Sequence, residues 1–296
     1  LMVVIDRFMT KDALYADVVL PATTYFEIDS YQRYPGGYTR LRHKVIEPVG
    51  EAKNDILIMG ELAKRLGFGE LYPQSEEEVL TRAFARDPEL LARLKENEDG
   101  VQSFKKPMEF KKYEQGLLRK DGRPGFPTPS GKVELVAALL EKHGYTGLPR
   151  YVDPTEGPNG NQETFQSYPL ILNTGTRIQS TFRSQHLNIP SLVRLQDKPL
   201  VHIHPQDADQ RGIQDGDRVL VKTKRGQVHF WARVGDQVRP GSVEINQGGG
   251  SPIQVKAWRE ANVNFLTDFY NRDPISGFPI FKALLCEVEP SHDPVL

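Results

Sequence analysis

A segment rich in hydrogen-bond donors, NTGTRIQSTFRSQH at 173–186, is the stretch of the sequence best suited to bind a ligand. It directly follows a predicted strand, and it carries hydroxyl groups, amides, two arginines and His186 but no carboxylate. Gly175 would let a ligand approach the backbone closely. Donors of this kind, together with Arg177 and Arg183, suit a large, flat ligand that is rich in acceptors and phosphorylated. The alternative is an ordinary polar surface loop.

Two further segments extend this set of donors. NQGGG at 246–250 follows another predicted strand, and we expect its three glycines to leave backbone N–H groups bare. The stretch ANVNFLTDFYNRDPISGFPIFKA at 261–283 has no helical or strand periodicity and contributes Asn262, Asn264 and Thr267. Long irregular segments inside a domain are usually disordered or functional, and this one predicts a binding surface.

The sequence contains no self-contained catalytic motif. The nucleophile motif G-x-S-x-G, the dinucleotide fingerprint G-x-G-x-x-G and the P-loop are all absent. His202 and His204 would share one face of a strand, as metal ligands can, but Pro205 ends that strand and no third ligand joins them. The single cysteine, Cys286, lies in an apolar run and is predicted to be a packing residue. We therefore expect no catalytic residue and no metal ligand in this chain.

Composition limits the classes of function. The chain has 296 residues and a formal net charge of −1, which predicts about two domains. Basic residues are scattered, which argues against nucleic-acid binding, and no apolar run has the length of a membrane span. The sequence opens with leucine in a predicted strand and shows no signal-peptide pattern, so we expect it to be a piece of a longer protein.

Residues 1–150 predict a mixed α/β domain. The apolar runs LMVVID and ADVVLPA are typical of strands that are buried on both faces. Caps, apolar stripes and terminal glycines predict four helices, at 54–66, from Ser75, from Asp87-Pro88, and at 132–143.

The second half of the chain is predicted to be mainly β, with one short helix that begins near His204 and ends at Gly212. Residues 151–167 are rich in Pro, Gly, Asn and Thr, which predicts a linker. Six short apolar runs separated by turn signals then predict a small barrel or sandwich at 168–290. The runs are YPLILNT, PLVHIH, DRVLVKTK, QVHFWARV, GSVEIN and ALLCEVE.

Six segments, in the same order along the chain, resemble motifs of the molybdopterin oxidoreductases of the dimethyl-sulfoxide-reductase family, which includes formate dehydrogenases and polysulfide-type reductases. One such segment would be weak evidence, but six in order are specific. The segments are DRFMTKDALYADVVLPATTYFE (6–27), KVIEPVGEAKNDILIMGELAKRLG (44–67), TPSGKVEL (128–135), YPLILNTGTR (168–177), HPQDADQRGIQDGDRVLVKTKRGQV (204–228) and NVNFLTDFYNRDPISGFPIFKA (262–283).

The resemblance implies the C-terminal part of a catalytic subunit. It implies a truncated Rossmann-like α/β domain at 1–150, followed by a double-psi β-barrel at 168–290 that binds a bis-molybdopterin guanine dinucleotide cofactor holding Mo or W. The stretch 261–283 would cross the barrel mouth, fixed by Phe278, Pro279 and Phe281. The residues implied to contact the cofactor are Thr10, Thr174, Gly175, Arg177, Gln179, His186, Asn264, Thr267 and Lys282.

Some parts of the family pattern have no counterpart in this sequence. The cysteines for a [4Fe–4S] cluster and the residue that ligates the metal are expected upstream, in the missing N-terminal part of the same subunit. The fragment alone is therefore expected to be folded, inactive and without cofactor. The resemblance allows an iron–sulfur electron-transfer subunit as a partner, and it leaves a cytoplasmic or a periplasmic location open.

The substrate also stays open. The segment EIDSYQRYPGGYTRLRHK (27–44) departs from the form seen in formate dehydrogenases and is closer to the sulfur-compound reductases and to a hydratase branch. Two alternatives to an oxidoreductase fragment remain. One is a non-catalytic double-psi-barrel binding module, and the other is a non-redox hydratase of the same family.

Overall fold

The computed structural model describes residues 1–103, 109–182, 184 and 186–292. The chain divides into two compact units, Leu1–Pro149 and Arg150–Leu296, which we call the N-terminal unit and the barrel unit. None of the helices in the described residues is long and apolar enough to cross a membrane.

The N-terminal unit contains a small parallel sheet and a small antiparallel sheet. Strands β1 and β2 are connected by helix α1 and pair with each other in parallel. Strands β3, β4 and β5 form an antiparallel sheet in that order. The elements are β1 (Val3–Asp6), α1 (Lys11–Tyr15), β2 (Val18–Pro21), β3 (Ser30–Arg33), β4 (Tyr38–Arg42), α2 (Asp55–Arg65), a 3₁₀ turn (Gly69–Leu71), α3 (Glu76–Ala83), α4 (Pro88–Glu96), β5 (Val101–Gln102) and α5 (Ala138–Lys142).

Three of the four predicted helices are confirmed, together with their caps. The Asn54 side chain accepts a hydrogen bond from the backbone N–H of Ile56 at the start of α2. Ser75 begins α3 and Asp87 begins α4 in the same way. These caps depend only on residues two or three positions apart, which is why the sequence predicts them well.

The prediction of a helix at 132–143 is wrong in its first half, because α5 begins only at Ala138. Val133 and Leu135 are 62% and 82% exposed, so the apolar stripe of that half lies mostly in solvent. The backbone N–H of Ala137 donates to the carbonyl of Gly147 instead, at 2.9 Å, and no side chain caps the helix.

The predicted burial of the first two strands is also wrong. Val3 and Val18 are 47% and 41% exposed. They line an open apolar cavity of about 610 Å³, which also contacts Ile58 and Leu62 of α2. The buried core of this unit lies elsewhere, where α3 and α4 pack on β4; its members are Leu41, Leu80, Phe84, Leu90, Leu91 and Leu94.

The barrel unit contains one closed six-stranded barrel, which confirms a barrel and excludes a sandwich. The strand order is β10-β6-β11-β8-β9-β7; β6 and β10 pair in parallel, as do β7 and β9. The elements are α6 (Gln162–Ser167), β6 (Leu170–Thr176), α7 (Pro190–Val193), β7 (Leu200–Ile203), α8 (Pro205–Asp209), β8 (Arg218–Thr223), β9 (Gly226–Val234), β10 (Ser242–Asn246), α9 (Lys256–Glu260), a 3₁₀ turn (Val263–Leu266) and β11 (Lys282–Pro290).

Alternating residues of the six strands fill the barrel interior. Val221, Phe230 and Ile245 are fully buried, and Cys286 lies among them, as its apolar surroundings predict. Burial raises the pKa of the Cys286 thiol, so the side chain stays a neutral packing group.

The segment predicted as a linker, 151–167, belongs to the barrel unit. It contains α6, and its Glu156 is only 6% exposed. The two candidate metal-binding histidines also have structural contacts. His204 caps α8, and the His202 ring lies 2.6 Å from the side-chain oxygen of Gln237. No group of three or more His, Cys, Asp or Glu residues in the described part of the chain is placed to hold a metal ion.

Candidate functional site

Three segments meet at one end of the barrel. Because β6 and β10 are parallel and Thr174 pairs with Ile245, the loops that follow these two strands leave from the same edge. Strand β11 begins beside them, where Lys282 pairs with Asn173. The loop that follows β6 and the glycine-rich run that follows β10 therefore lie at the same end of the barrel.

A β-bulge at Gly175 shapes this end of the barrel. Ile245 pairs with Thr174 but the next residue, Asn246, pairs with Thr176, so Gly175 is the extra residue. A Cβ atom added to Gly175 would lie 3.6 Å from Cε of Lys282. Bulges of this kind redirect neighbouring side chains and often lie next to functional sites. The bulge brings the predicted residues Gly175 and Lys282 together.

The Thr174 side chain forms a hydrogen bond within the protein at this end of the barrel. Its side chain is 8% exposed, and its hydroxyl group donates to the carbonyl oxygen of Phe281 at 2.6 Å. The backbone N–H of Thr174 donates to the same carbonyl at 3.3 Å. Thr174 therefore fixes the chain just before β11 and holds Lys282 beside the bulge.

The cations of this end have no carboxylate partner among the described residues. Arg177 and Lys282 are exposed, and neither forms an ion pair within the part of the chain that the structure describes. Residues 173–190 contain no Asp or Glu. Gln179 is exposed beside them, whereas Arg183 lies outside the described residues. This end of the barrel therefore offers positive charge and donors to an anion.

Two buried hydroxyl groups in the same loop are unsatisfied. Thr176 Oγ1 and Ser180 Oγ are buried and have no hydrogen-bond partner among the described residues. A buried polar atom without a partner costs about 1–3 kcal/mol, so native proteins rarely keep one without a reason. A ligand that carries hydrogen-bonding groups would satisfy both.

A second, small apolar core supports the loops. Trp258 is fully buried in it, and its indole N–H donates to the carbonyl of Gln196 at 3.1 Å. The other members are Ile178, Leu187, Val193 and Ile253. His186, in the same loop, is partly buried, and its Nδ1 accepts a 3.4 Å hydrogen bond from the backbone N–H of Phe182. The loops after β6 and β10 thus pack on each other.

The expectation of bare N–H groups at 246–250 is wrong for two of the three glycines. The N–H of Gly249 donates to Ser184 Oγ at 3.1 Å, and that of Gly250 donates to the carbonyl of Trp258 at 2.8 Å. Gly249 has a φ of +87°, and a Cβ atom there would collide with the carbonyl oxygen of Ala261. These glycines let two backbone segments approach closely.

Sequence reasoning missed the role of Asn246, which it treated as part of a donor-rich loop. Asn246 is 2% exposed, and its Oδ1 accepts hydrogen bonds from Gln196 Nε2 and from the N–H of Leu200, both at 2.7 Å. Its Nδ2 donates to the carbonyl of Thr176 at 3.4 Å. Asn246 therefore joins β6, β10 and the start of β7. The sequence feature that indicates this structural role is an asparagine at the end of an apolar strand.

The stretch 261–283 is anchored at its beginning. Ala261, Val263 and Leu266 are buried in the barrel core. At its other end, the side chains of Phe278 and Phe281 are 67% and 37% exposed, and these residues are held through their backbone. The carbonyl of Phe278 accepts from the N–H of Asp273, Pro279 forms a β-bridge with Arg272, and the carbonyl of Phe281 accepts from Thr174. Only the first residues of the stretch follow an apolar i, i+2, i+5 pattern that reaches the core.

Asn264 and Thr267 lie on a short 3₁₀ turn within this stretch. Asn264 is exposed, and its backbone N–H donates to Asn262 Oδ1 at 3.0 Å. Thr267 Oγ1 donates to the carbonyl of Asn264 at 3.4 Å. Thr223 Oγ1, at the end of β8, donates to the carbonyl of Leu266 at 3.2 Å. The turn that presents these two residues is therefore held by the β8–β9 hairpin.

A buried ionic cluster strengthens this attachment. We call it the Arg225 cluster, and its members are Glu156, Lys224, Arg225 and Asp268. The Arg225 guanidinium binds both carboxylate oxygens of Glu156 and also binds Asp268. Lys224 Nζ lies 3.0 Å from Glu156. Burial opposes the ionisation of Glu156, but the hydrogen bonds from Arg225 and Lys224 outweigh it and lower the pKa of that carboxyl group.

Thr10, the remaining predicted residue, lies in the N-terminal unit. It is the N-cap of α1, and its Oγ1 accepts a hydrogen bond from the N–H of Ala13 at 3.3 Å. The structure therefore brings Thr174, Gly175 and Lys282 into contact, places Arg177 and Gln179 in the adjoining loop, and assigns Thr10 to a separate unit.

Known protein families match both units. The model of the molydopterin dinucleotide binding domain matches residues 170–285, which cover five of the six barrel strands and the start of β11. The model of molybdopterin oxidoreductase matches residues 1–65, from β1 to α2.

Relatives extend the similarity over almost the whole chain. It is 33% identical to the probable oxidoreductase YyaE of Bacillus subtilis over 96% of its length, and 32% identical to dimethyl sulfoxide reductase DmsA of Escherichia coli over 90%. It is 30% identical to acetylene hydratase of Syntrophotalea acetylenica over 96%.

Among solved structures, acetylene hydratase from Pelobacter acetylenicus superposes with a TM-score of 0.80 at 26% identity, covering 98% of this chain. The chain spans 40% of the length of YyaE, 35% of DmsA, 39% of the acetylene hydratase of Syntrophotalea acetylenica and 40% of the solved acetylene hydratase. The two family models and these relatives agree with the six segments found in the sequence, and the chain belongs to the molybdopterin oxidoreductases of the dimethyl-sulfoxide-reductase family.

Proposed function

We propose that this chain is the cofactor-binding C-terminal part of a molybdenum or tungsten oxidoreductase that uses bis-molybdopterin guanine dinucleotide. The observation that carries the proposal is the end of the barrel where β6, β10 and β11 meet. There, Lys282 lies beside the Gly175 bulge, and Thr176, Arg177 and Ser180 follow the bulge along the chain. Among the described residues the two cations have no ion-pair partner, and the buried hydroxyl groups of Thr176 and Ser180 have no hydrogen-bond partner.

These residues fit the chemistry of a dinucleotide. Arg177 and Lys282 would neutralise the pyrophosphate, because guanidinium and ammonium groups bind phosphate oxygens through charge-assisted hydrogen bonds. Thr176 Oγ1 and Ser180 Oγ would bind polar atoms of the ligand and so lose their unsatisfied state. Asn264, on its exposed turn, would donate from its amide group. Gln179, His186 and Thr267 complete the proposed set.

The bound cofactor would supply the redox or oxygen-transfer chemistry at its metal. The residues of this chain bind and orient it. The Gly175 bulge gives the ligand access to backbone, Thr174 fixes Lys282, and the packed loops around Trp258 hold Arg177 in place. In this proposal the metal ligand and a [4Fe–4S] cluster come from an N-terminal part of the same subunit, and an iron–sulfur electron-transfer subunit is the partner.

A hydratase that uses the same cofactor is the second candidate. Acetylene hydratase matches both the sequence and the fold of nearly the whole chain. The barrel residues would have the same binding role in either case, because they lie at the dinucleotide and not at the reacting atoms. The two candidates differ in whether the intact protein exchanges electrons with its substrate.

Metal and pterin content of the full-length polypeptide tests the proposal. We expect the purified full-length protein to contain Mo or W and a fluorescent pterin after oxidation, and the isolated 296-residue chain to contain neither. We expect the double variant Arg177→Gln, Lys282→Gln to reduce pterin occupancy about tenfold or more, since each charge-assisted bond to phosphate is a strong one.

The control is Lys222→Gln, which removes one positive charge from a pair with Glu289 on the barrel wall and is compared with each of the single variants Arg177→Gln and Lys282→Gln. It should leave occupancy unchanged. A full-length protein without Mo, W or pterin would instead support the non-catalytic binding module. Full occupancy in the double variant would refute the assigned site.

A further inference from the structure

A second polar pocket lies in the N-terminal unit, on the antiparallel sheet. Gln32 of β3 pairs with Arg40 of β4, and Ser30 pairs with Arg42. Since side chains alternate along a strand, Gln32, Arg40 and Arg42 share one face of this sheet. The two arginines are separated by about 7 Å along the strand, close enough to act on one ligand.

The opposite face of the same sheet is used for packing. Leu41 is 5% exposed and contributes to the core with Phe84 and Leu90. The basic face is therefore the outer one, but it is not flat. Aromatic and apolar side chains border an open pocket of about 630 Å³ around it; they include Tyr25, Phe26, Tyr34 and Val45.

The charge in this pocket is not balanced by ion pairs. Neither Arg40 nor Arg42 pairs with a carboxylate among the described residues, and Nε of Arg42 is buried with no hydrogen-bond partner there. Glu98 also lines the pocket without pairing to either arginine. His43 is already in contact with Asp29, at 3.5 Å. Within the described residues, two guanidinium groups and one carboxylate thus line the pocket without ion pairs between them.

We propose that this pocket binds a small organic anion, in which a phosphate, sulfonate or carboxylate group is carried on a flat apolar body. The planar fork of arginine matches the oxygen atoms of these groups, and the buried Nε of Arg42 would gain the acceptor that it lacks. The rings of Tyr25, Phe26 and Tyr34 provide flat apolar walls for the rest of the molecule. The pocket lies wholly within the N-terminal unit, so the proposal is independent of the dinucleotide site.

Phenyl phosphate is the probe for this site, with inorganic phosphate and phenol as its two halves. Titration of the 296-residue chain, followed by amide chemical shifts and by calorimetry, should show saturable binding that shifts residues 25–45. Phenyl phosphate should bind more tightly than either half alone. Raising the salt concentration should weaken the binding, because the contact is ionic.

The double variant Arg40→Gln, Arg42→Gln should lose at least about tenfold in affinity for phenyl phosphate. The control is Arg33→Gln, which removes one positive charge from the other face of the sheet and should leave the affinity unchanged; it is compared with each of the single variants Arg40→Gln and Arg42→Gln. Thermal unfolding of both variants checks that the sheet remains folded. The proposal is overturned if the double variant binds phenyl phosphate as tightly as the unchanged chain, or if Arg33→Gln loses as much affinity as the double variant. It is also overturned if the chemical-shift changes are confined to 173–186, or if no saturable binding is seen at about 10 mM phenyl phosphate.

Discussion

Replacing Arg225 with glutamine should destabilise the barrel unit and leave the N-terminal unit unchanged. Arg225 is the centre of the Arg225 cluster, and its side chain is 11% exposed. The substitution would leave Glu156, itself 6% exposed, without its two guanidinium bonds and would leave Asp268 without its only ion pair among the described residues.

The magnitude follows from burial. Removing one partner of a buried ion pair costs about 3–5 kcal/mol, because the other charge stays buried and unpaired. Lys224 would remain 3.0 Å from Glu156, and the Asp268 side chain is 30% exposed. Both facts reduce the penalty, so we expect about 3 kcal/mol in the free energy of unfolding.

Tryptophan fluorescence measures this change in one unit alone. The chain has two tryptophans, Trp231 and Trp258, and both lie in the barrel unit. A urea titration followed by tryptophan emission therefore reports the unfolding of the barrel, even if the two units unfold separately. Combining Arg225→Gln with Glu156→Gln in a double-mutant cycle gives the coupling energy of the pair.

Lys222→Gln is the control for the loss of a positive charge. Its partner Glu289 is 48% exposed, and an exposed pair of this kind contributes about 0–1 kcal/mol. If Arg225→Gln costs no more than this control, the buried cluster does not hold the barrel to the segments at 156 and 268, and our reasoning is refuted.

Two further predictions concern the same unit. The pKa of the Glu156 carboxyl group is lowered in the folded state. Its contribution to the free energy of unfolding is therefore complete above its unfolded pKa of about 4.3 and is lost as the pH falls through the folded value. The variant Glu156→Gln should lose less of its stability in acid than the wild type, as measured by tryptophan emission between pH 7 and pH 3. Gly249→Ala should lower the free energy of unfolding by at least about 3 kcal/mol, because the new methyl group collides with Ala261 at a residue whose φ is already positive. Gly216 has the same φ of +87° but open space around it, so Gly216→Ala should lower the free energy of unfolding by about 1 kcal/mol. Equal costs for the two alanine variants would show that the collision is relieved by a backbone shift.

The sequence predicted the features that depend on near neighbours. The six barrel strands follow from apolar runs, and the caps at Asn54, Ser75 and Asp87 follow from residues two or three positions away. The burial of Val3 and Val18 was predicted wrongly because burial depends on which other segments cover a strand, and periodicity alone does not contain that information.

The same limit applies to the candidate site. The resemblance supplied Gly175, Arg177 and Lys282, and the structure adds the bulge that brings two of them together. No local pattern indicated that Glu156 would contact Arg225, which is 69 residues away. Likewise, the N–H of Gly249 has a partner 65 residues away, so its bonding could not be read from the glycine run itself.

The strand pairing of the two units gives them different tendencies to associate. In the closed barrel every strand has two neighbours, so its backbone N–H and C=O groups offer no template for an added strand. Among the described residues, β1 and β2 each have one neighbour, as do β3 and β5, and Val3 of β1 is exposed. Strand addition is therefore open to the N-terminal unit and closed to the barrel, and a lysine placed at Val3 would oppose such addition at β1.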